Sequence, residues 1–161
     1  MAKRGNAVRH PPGSVRIIAG EWRARRISIP EGTAVRPTPD RVRETLFNWL
    51  RDMLEGGRVL DLFAGTGALG FEALSRGAAE VWFVEQEAKL AAALGAQATT
   101  FGVQPRVSRQ DAATFLRGPP VTSFAIVFLD PPYALPVEPL LELLQPWLAP
   151  SALVYVERPR E

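Results

Sequence analysis

Between residues 58 and 156 the apolar positions fall into two alternating rhythms. Short runs rich in β-branched and aromatic residues, at 58–63, 80–84, 106–108, 124–129 and 153–156, are separated by stretches at 67–76, 86–100, 111–117 and 136–147 in which apolar residues recur every three or four positions. The first rhythm is that of strands and the second that of amphipathic helices. Strand, helix, strand, repeated, predicts an α/β domain with a parallel sheet and helices on both faces, because parallel neighbours need a long crossover. In such sheets ligands sit beyond the carboxyl ends of the strands. Function is therefore to be sought just after each strand.

Upstream the pattern changes. Val15-Arg-Ile-Ile-Ala and Arg25-Arg-Ile-Ser-Ile flank Gly20-Glu-Trp-Arg, which predicts a hairpin with one apolar and one arginine-bearing face. A helix is predicted from Thr38-Pro39-Asp40, with Thr38 as its cap and Pro39 in the first helical position. Val42, Leu46, Trp49, Leu50 and Met53 would face a core, with Arg41, Arg43 and Glu44 on or near the other side. Gly56-Gly57 marks the boundary. Residues 1–14, broken by Pro11-Pro12-Gly13, have no periodicity and predict a disordered basic arm. Three segments result: the arm (1–14), a hairpin with its linking helix (15–55), and the α/β domain (56–161).

Composition narrows the class. A length of 161 residues with 47% hydrophobic and 22% charged content fits one globular domain with a small appendage. No apolar run approaches the roughly 20 residues of a membrane span, and no apolar stretch follows the basic start, so neither membrane nor secretory signal is expected. With no cysteine there is no disulfide framework and no thiolate metal site, and the cytoplasm is the expected compartment. The formal net charge is only +2, yet residues 1–43 hold ten Lys or Arg against three Asp or Glu. Positive charge concentrated at one end is the footprint expected of a nucleic-acid partner. Arginines on a ribbon beside Trp22 suit RNA, by phosphate contact and stacking. His10, the sole histidine, lies in the arm and is expected to be neither catalyst nor ligand.

The candidate chemistry centres on Val59-Leu-Asp-Leu-Phe-Ala-Gly-Thr-Gly-Ala-Leu-Gly70. Gly65 and Gly67 can take backbone angles closed to other residues and let a ligand lie against the main chain. A helix opening near Gly67 would present unpaired N–H groups. The spacing Gly65-x-Gly67-x-x-Gly70 formally fits a dinucleotide turn, so the turn alone leaves a nicotinamide enzyme open. Asp61, just before it, suits a ligand bearing an amine better than one bearing phosphates. Glu85, twenty residues beyond Gly65, can accept from both hydroxyls of a ribose, and Asp111 can accept from an exocyclic amine such as that of adenine. Asp130-Pro131-Pro132-Tyr133 sets acceptors beside an aromatic ring, an arrangement suited to a flipped planar base bearing an amino group. A dehydrogenase has no evident use for it.

Taken together, these motifs resemble the S-adenosylmethionine-dependent amino-methyltransferases. With Arg16-Ile-Ile-Ala-Gly-Glu-Trp-Arg23, Arg36-Pro-Thr-Pro-Asp-Arg-Val-Arg-Glu-Thr-Leu-Phe-Asn-Trp-Leu50 and Gly67-Ala-Leu-Gly-Phe-Glu-Ala-Leu-Ser-Arg-Gly77, the chain from Val15 to Glu157 resembles the RsmD family. The resemblance implies a Rossmann-like class I methyltransferase fold and methylation of the N2 of one guanine in small-subunit (16S) rRNA, naked or within the assembling 30S particle. It implies that Asp61, Gly65 and Gly67 hold the methionine end of S-adenosylmethionine, Glu85 its ribose, and Asp111 with the Ala112 backbone its adenine, with Phe63 and Ala64 also binding the cofactor. Asp130, Pro131, Pro132 and Tyr133 would receive the guanine; Arg16, Trp22, Arg23, Arg25, Arg26, Arg36, Arg41 and Arg43 would meet RNA. No metal is required, and a monomer is expected. The family usually has Thr-Thr-Asp where this chain has Thr38-Pro39-Asp40, and Asn where it has Gln97. It also adds a closing pair of strands, so either a shortened chain or a sheet with an exposed edge is expected, and because an uncovered edge invites pairing, a shortened chain is the expectation. A DNA adenine-N6 or cytosine-N4 methyltransferase and a non-catalytic RNA-binding protein are the alternatives.

Overall fold

In the computed structural model, which describes residues 13–158, the alternating rhythm becomes a single parallel sheet. Its elements are β3 (Arg58–Asp61), α2 (Ala68–Ser75), β4 (Glu80–Val84), α3 (Ala88–Thr100), β5 (Val107–Ser108), α4 (Ala112–Arg117), β6 (Phe124–Leu129), α5 (Glu138–Leu144) with a 3-10 turn at Gln145–Trp147, and β7 (Leu148–Val156). The order across the sheet is β5-β4-β3-β6-β7. It reverses between β3 and β6, placing the switch point at the carboxyl ends of the strands that carry Asp61 and Asp130. Ahead of the sheet, β1 (Ser14–Arg16) and β2 (Arg26–Ser28) form the antiparallel hairpin, with Val15 opposite Ile27; α1 (Asp40–Leu54) follows. The basic arm, including His10, lies outside the described residues save for its last two positions.

The hairpin is built into the core rather than hung beside it. Val15, Ile17, Trp22 and Ile27 are buried in one cluster with Leu46, Phe47, Phe71, Leu94 and Phe101. Helix α2 grips the hairpin by its polar groups. The Glu72 carboxylate, fully buried, accepts from Ile18 N at 2.9 and 3.2 Å; Ser75 Oγ accepts from Trp22 N at 2.9 Å and donates to Ala19 O at 2.7 Å. Gly20 has φ +89°, and a Cβ there would fall 2.0 Å from Ser75 O, so this close approach requires glycine. Trp22 stacks on Phe101 at 4.3 Å with rings 5° apart and is 5% exposed. This corrects the expectation that Trp22 stacks on RNA.

Helix α1 begins one residue later than expected. Pro39 (φ −58°, ψ 151°) precedes it as the flanking residue, and the Thr38 hydroxyl bonds to Glu157 instead of capping. Its buried side is Arg43, Leu46, Phe47, Leu50 and Leu54, whereas Val42 and Trp49 are 41% and 74% exposed. The expected stripe shared Leu46 and Leu50 but was turned about the helix axis. Arg43 can be buried because its donors are taken by Thr38 O at 3.1 Å, Arg16 O at 2.9 Å and the Asp40 carboxylate. Its assignment to RNA is therefore also corrected. A second cluster, including Leu60, Leu62, Phe115, Leu140, Leu144 and Trp147, forms a separate core. At the sheet edge, β7 leaves Leu153 and Val156 more than a third exposed.

Candidate active site

A cleft of about 700 Å³ opens at the switch point and is lined by residues from every predicted strand-end motif: Phe63, Gly65, Glu85, Asp111, Ala112 and the segment 130–132. Asp61 ends β3 and is 3% exposed; its Oδ2 accepts from Gly70 N at 3.1 Å. It lines a narrow recess with Phe63, Ala64, Gly65 and Asp130. Burial pushes Asp61 up to about 7, against the Gly70 hydrogen bond and with help from the charges of Asp130 and Glu85. Gly65 and Gly67 have φ of +55° and +81°. At Gly67 a Cβ would lie 2.6 Å from both Leu94 and Phe71, so glycine is needed for space as well as for conformation.

Glu85 reaches directly into the turn. Its Oε1 accepts from Gly65 N at 3.2 Å and its Oε2 from Glu87 N at 3.3 Å, so two motifs twenty residues apart share one hydrogen bond. Gly67 N donates to Ala64 O at 2.8 Å. All three glycine N–H groups of the Gly65-x-Gly67-x-x-Gly70 turn are thus taken by acceptors of the protein, two of them carboxylates. A pyrophosphate would find none of these three glycine N–H groups free and two carboxylates beside them. Asp111 lines the cleft but also caps α4: its Oδ1 accepts from Thr114 N at 2.9 Å and its Oδ2 from Thr114 Oγ1 at 2.6 Å. The Thr114 hydroxyl, then its N–H, hold this exposed carboxyl below the usual aspartate range.

Across the cleft, Asp130 follows β6 half-buried and is pushed up to about 6, chiefly by burial and then by the charge of Glu157. Pro131 is buried, Pro132 is exposed and accepts from Leu135 N at 2.9 Å, and Tyr133 is 79% exposed. Glu157, just past β7, was not anticipated. Its backbone N–H donates to Leu129 O at 3.0 Å, which brings it level with Asp130, and its Oε2 accepts from Thr38 Oγ1 at 3.1 Å. An acid at the end of the fifth strand obeys the same positional rule that singled out Glu85, Asp111 and Asp130.

Residues 35–38 lie along this site, another feature the sequence did not reveal. Val35 touches the glycine turn so closely that a Cβ on Gly65 would fall 2.9 Å from its Cγ2, and Val35 and Arg36 line the cleft. Arg36 therefore stands on the cleft wall. Of the other arginines expected to meet RNA, Arg16, Arg23, Arg25, Arg26 and Arg41 are exposed. Arg16 pairs with Asp40 at 3.2 Å; Arg26 donates to Ser14 Oγ at 3.0 Å; Arg25 lies over the Phe101 ring at 4.5 Å. Arg16 and Arg26 line a groove that ends at Pro37 and Thr38, and those two residues also line the recess holding Asp61 and Asp130. The basic face and the acidic site thus meet at Thr38.

The family described as conserved hypothetical protein 95 matches residues 15–161. Ribosomal RNA small subunit methyltransferase D of Haemophilus influenzae is 44% identical over 156 residues, 92% of this chain and 81% of that protein. The Escherichia coli (strain K12) protein of the same name is 44% identical over 151 residues, covering 90% and 75% of the two chains. The solved structure of yhhF from Escherichia coli superposes with a TM-score of 0.85 at 44% identity, over 92% of this chain and 83% of that one. The five-stranded parallel sheet is accordingly the Rossmann-like methyltransferase fold that the motifs implied. With the match running from the hairpin through the sheet, the chain belongs to the ribosomal RNA small subunit methyltransferase D (RsmD) family.

Proposed function

We propose that this protein methylates the exocyclic N2 of one guanine in 16S rRNA, using S-adenosylmethionine. The observation that carries the reading is the placing of the Asp61–glycine turn–Glu85 arrangement and Asp130-Pro131-Pro132 on one cleft. The donor set fits the cofactor: S-adenosylmethionine is cationic at its sulfonium and amino groups, and the site offers carboxylates with no free glycine N–H for phosphate. The same feature speaks against a nicotinamide dinucleotide. In this assignment Asp61 and residues 63–67 hold the methionine end, Glu85 the ribose, and Asp111 with Ala112 the adenine.

When bound, the cofactor would supply an electrophilic methyl group: the guanine N2 lone pair would attack it in line as the S–CH3 bond breaks, S-adenosylhomocysteine would leave as a neutral thioether, and one N2 proton would pass to Asp130 or to solvent. The protein's part is orientation and charge. Asp130 accepts one N2–H and the Pro131 carbonyl the other, which turns the lone pair toward the methyl and raises electron density on a poor nucleophile. Tyr133, exposed and next in the chain to the cleft-lining Pro132, stacks on the extruded base. Arg16, Arg23, Arg25, Arg26 and Arg41 contact phosphates, with Arg36 at the entrance. We place the reaction in the cytoplasm and read the protein as a monomer acting on rRNA or on the assembling 30S particle; among the described residues no helix is long and apolar enough to cross a membrane.

The test is incubation with tritiated S-adenosylmethionine and, separately, naked 16S rRNA, small subunits and DNA, followed by nucleoside analysis. Label recovered as N2-methylguanosine from RNA is expected. Label on adenine, or on DNA, would overturn the reading.

A further inference from the structure

Two carboxylates stand level with each other past the ends of β6 and β7, Asp130 on the cleft and Glu157 beside it, and the mechanism above uses one. Asp130 ends β6, and Glu157 is held level with it by the bond from Glu157 N to Leu129 O at 3.0 Å. The Glu157 side chain is fixed by Thr38 Oγ1 at 3.1 Å. Thr38 is buried and lines the recess that contains Asp130. Placing like charges close together in a partly desolvated site costs stability, and here Glu157 contributes to raising Asp130. A tether for Thr38 alone needs only a neutral acceptor. A pair of acceptors is matched by a ligand that brings two donors.

Guanine brings two adjacent donors on its Watson–Crick edge, N1–H and N2–H. Adenine and cytosine place a bare ring nitrogen, an acceptor, next to their amino groups. A carboxylate without a proton is acceptor only, so a second carboxylate beside the amine site attracts the guanine edge and repels the other two. We propose that Glu157 is a specificity-determining residue that accepts the N1–H of the target guanine while Asp130 accepts from N2. The assignment rests on the guanine-N2 reading above and explains how an Asp-Pro-Pro-Tyr site is confined to guanine. Thr38 acts through Glu157 as a positioning residue.

The experiment compares 16S rRNA carrying either guanine or 2-aminopurine at the methylated position, joined by ligation and reconstituted into subunits where the naked RNA is not a substrate. 2-Aminopurine keeps the amine at C2 but has an unprotonated N1. Wild-type protein is expected to favour the guanine RNA by about tenfold or more in kcat/KM, the worth of a hydrogen bond to a charged group. In Glu157→Gln, whose amide can donate to the bare N1, that preference should shrink by about tenfold. The change at C6 is common to both proteins and cancels. Affinity for S-adenosylmethionine, by calorimetry, should stay within about twofold, showing the fold intact. Thr38→Val, which keeps the carboxylate but frees it, should reduce the preference by a smaller factor and serves if Glu157→Gln does not fold. An equal loss on both RNAs, with the preference unchanged, would reduce Glu157 to a tether and overturn the assignment alone. Guanine RNA left unlabelled by the wild-type protein would overturn the proposed function, and this assignment with it.

Discussion

Gly70 donates its backbone N–H to the Asp61 carboxylate across 3.1 Å, locking the end of β3 to the first turn of α2. The bond fixes Asp61 beneath the glycine turn, and it is the one contact that favours the charged form of a group burial has pushed up to about 7. Asp61 is therefore poised between protonation states near neutral pH.

A pH dependence follows, with opposite signs for folding and for binding. Because the folded value lies above the ordinary aspartate range, the stability contributed by Asp61 is fully present at low pH and is lost as pH rises through about 7. Asp130 acts in the same direction through about 6. If Asp61 holds the cationic methionine end as proposed, binding selects its ionised carboxylate, so affinity should fall as pH drops below 7, and binding near neutrality should release protons. Calorimetry in buffers of differing ionisation enthalpy measures that release. Affinity independent of pH between 6 and 8 would contradict it.

Gly67→Ala should be far more damaging than an ordinary glycine substitution. The left-handed conformation costs about 1–2 kcal/mol for an alanine, and its Cβ would press on Leu94 and Phe71, where overpacking adds about 1–3 kcal/mol. A loss of at least about 2 kcal/mol is expected from denaturant midpoints, together with loss of cofactor binding. Gly95→Ala, with open space around its Cβ, is the control and should not destabilise.

Trp22 and Arg23 are neighbours with separate jobs. Trp22→Ala removes a buried ring stacked on Phe101 and should cost about 3–5 kcal/mol of stability. Arg23→Ala, at an exposed position, should leave stability within about 0.5 kcal/mol but weaken rRNA binding and lower the slope of log affinity against log salt by about one. Filter binding at several salt concentrations, set beside thermal melts, separates the two.

The sequence was readable where periodicity and chain position decide the outcome. Asp61, Glu85, Asp111 and Asp130 each end a strand-like run, and parallel-sheet topology carries all four to one edge of the sheet. Residues whose fate depends on a distant partner were not readable. Trp22 is buried because Phe101 lies parallel to it, and Arg43 because two carbonyls and Asp40 surround it; nothing local distinguishes Trp22 from its exposed neighbours in the hairpin, or Arg43 from the exposed Arg41 on α1. In α1, Val42 and Trp49 fit a helical stripe as well as Arg43 and Phe47 do, and only docking chose between them. The start of β7 was hidden by Ala149-Pro150-Ser151, which reads as a turn. In the structure it is an irregularity within the strand, where the register shifts between Phe124 and Ile126 and Ser151 has φ +61°.

The most direct test of the account concerns Asp130. Asp130→Ala should lower single-turnover methyl transfer from tritiated S-adenosylmethionine to rRNA by about 100-fold or more, while the affinity for the cofactor, measured by calorimetry, changes by no more than a few-fold. Transfer at the wild-type rate would show that Asp130 is not the acceptor for the guanine amine and would contradict the account at its centre.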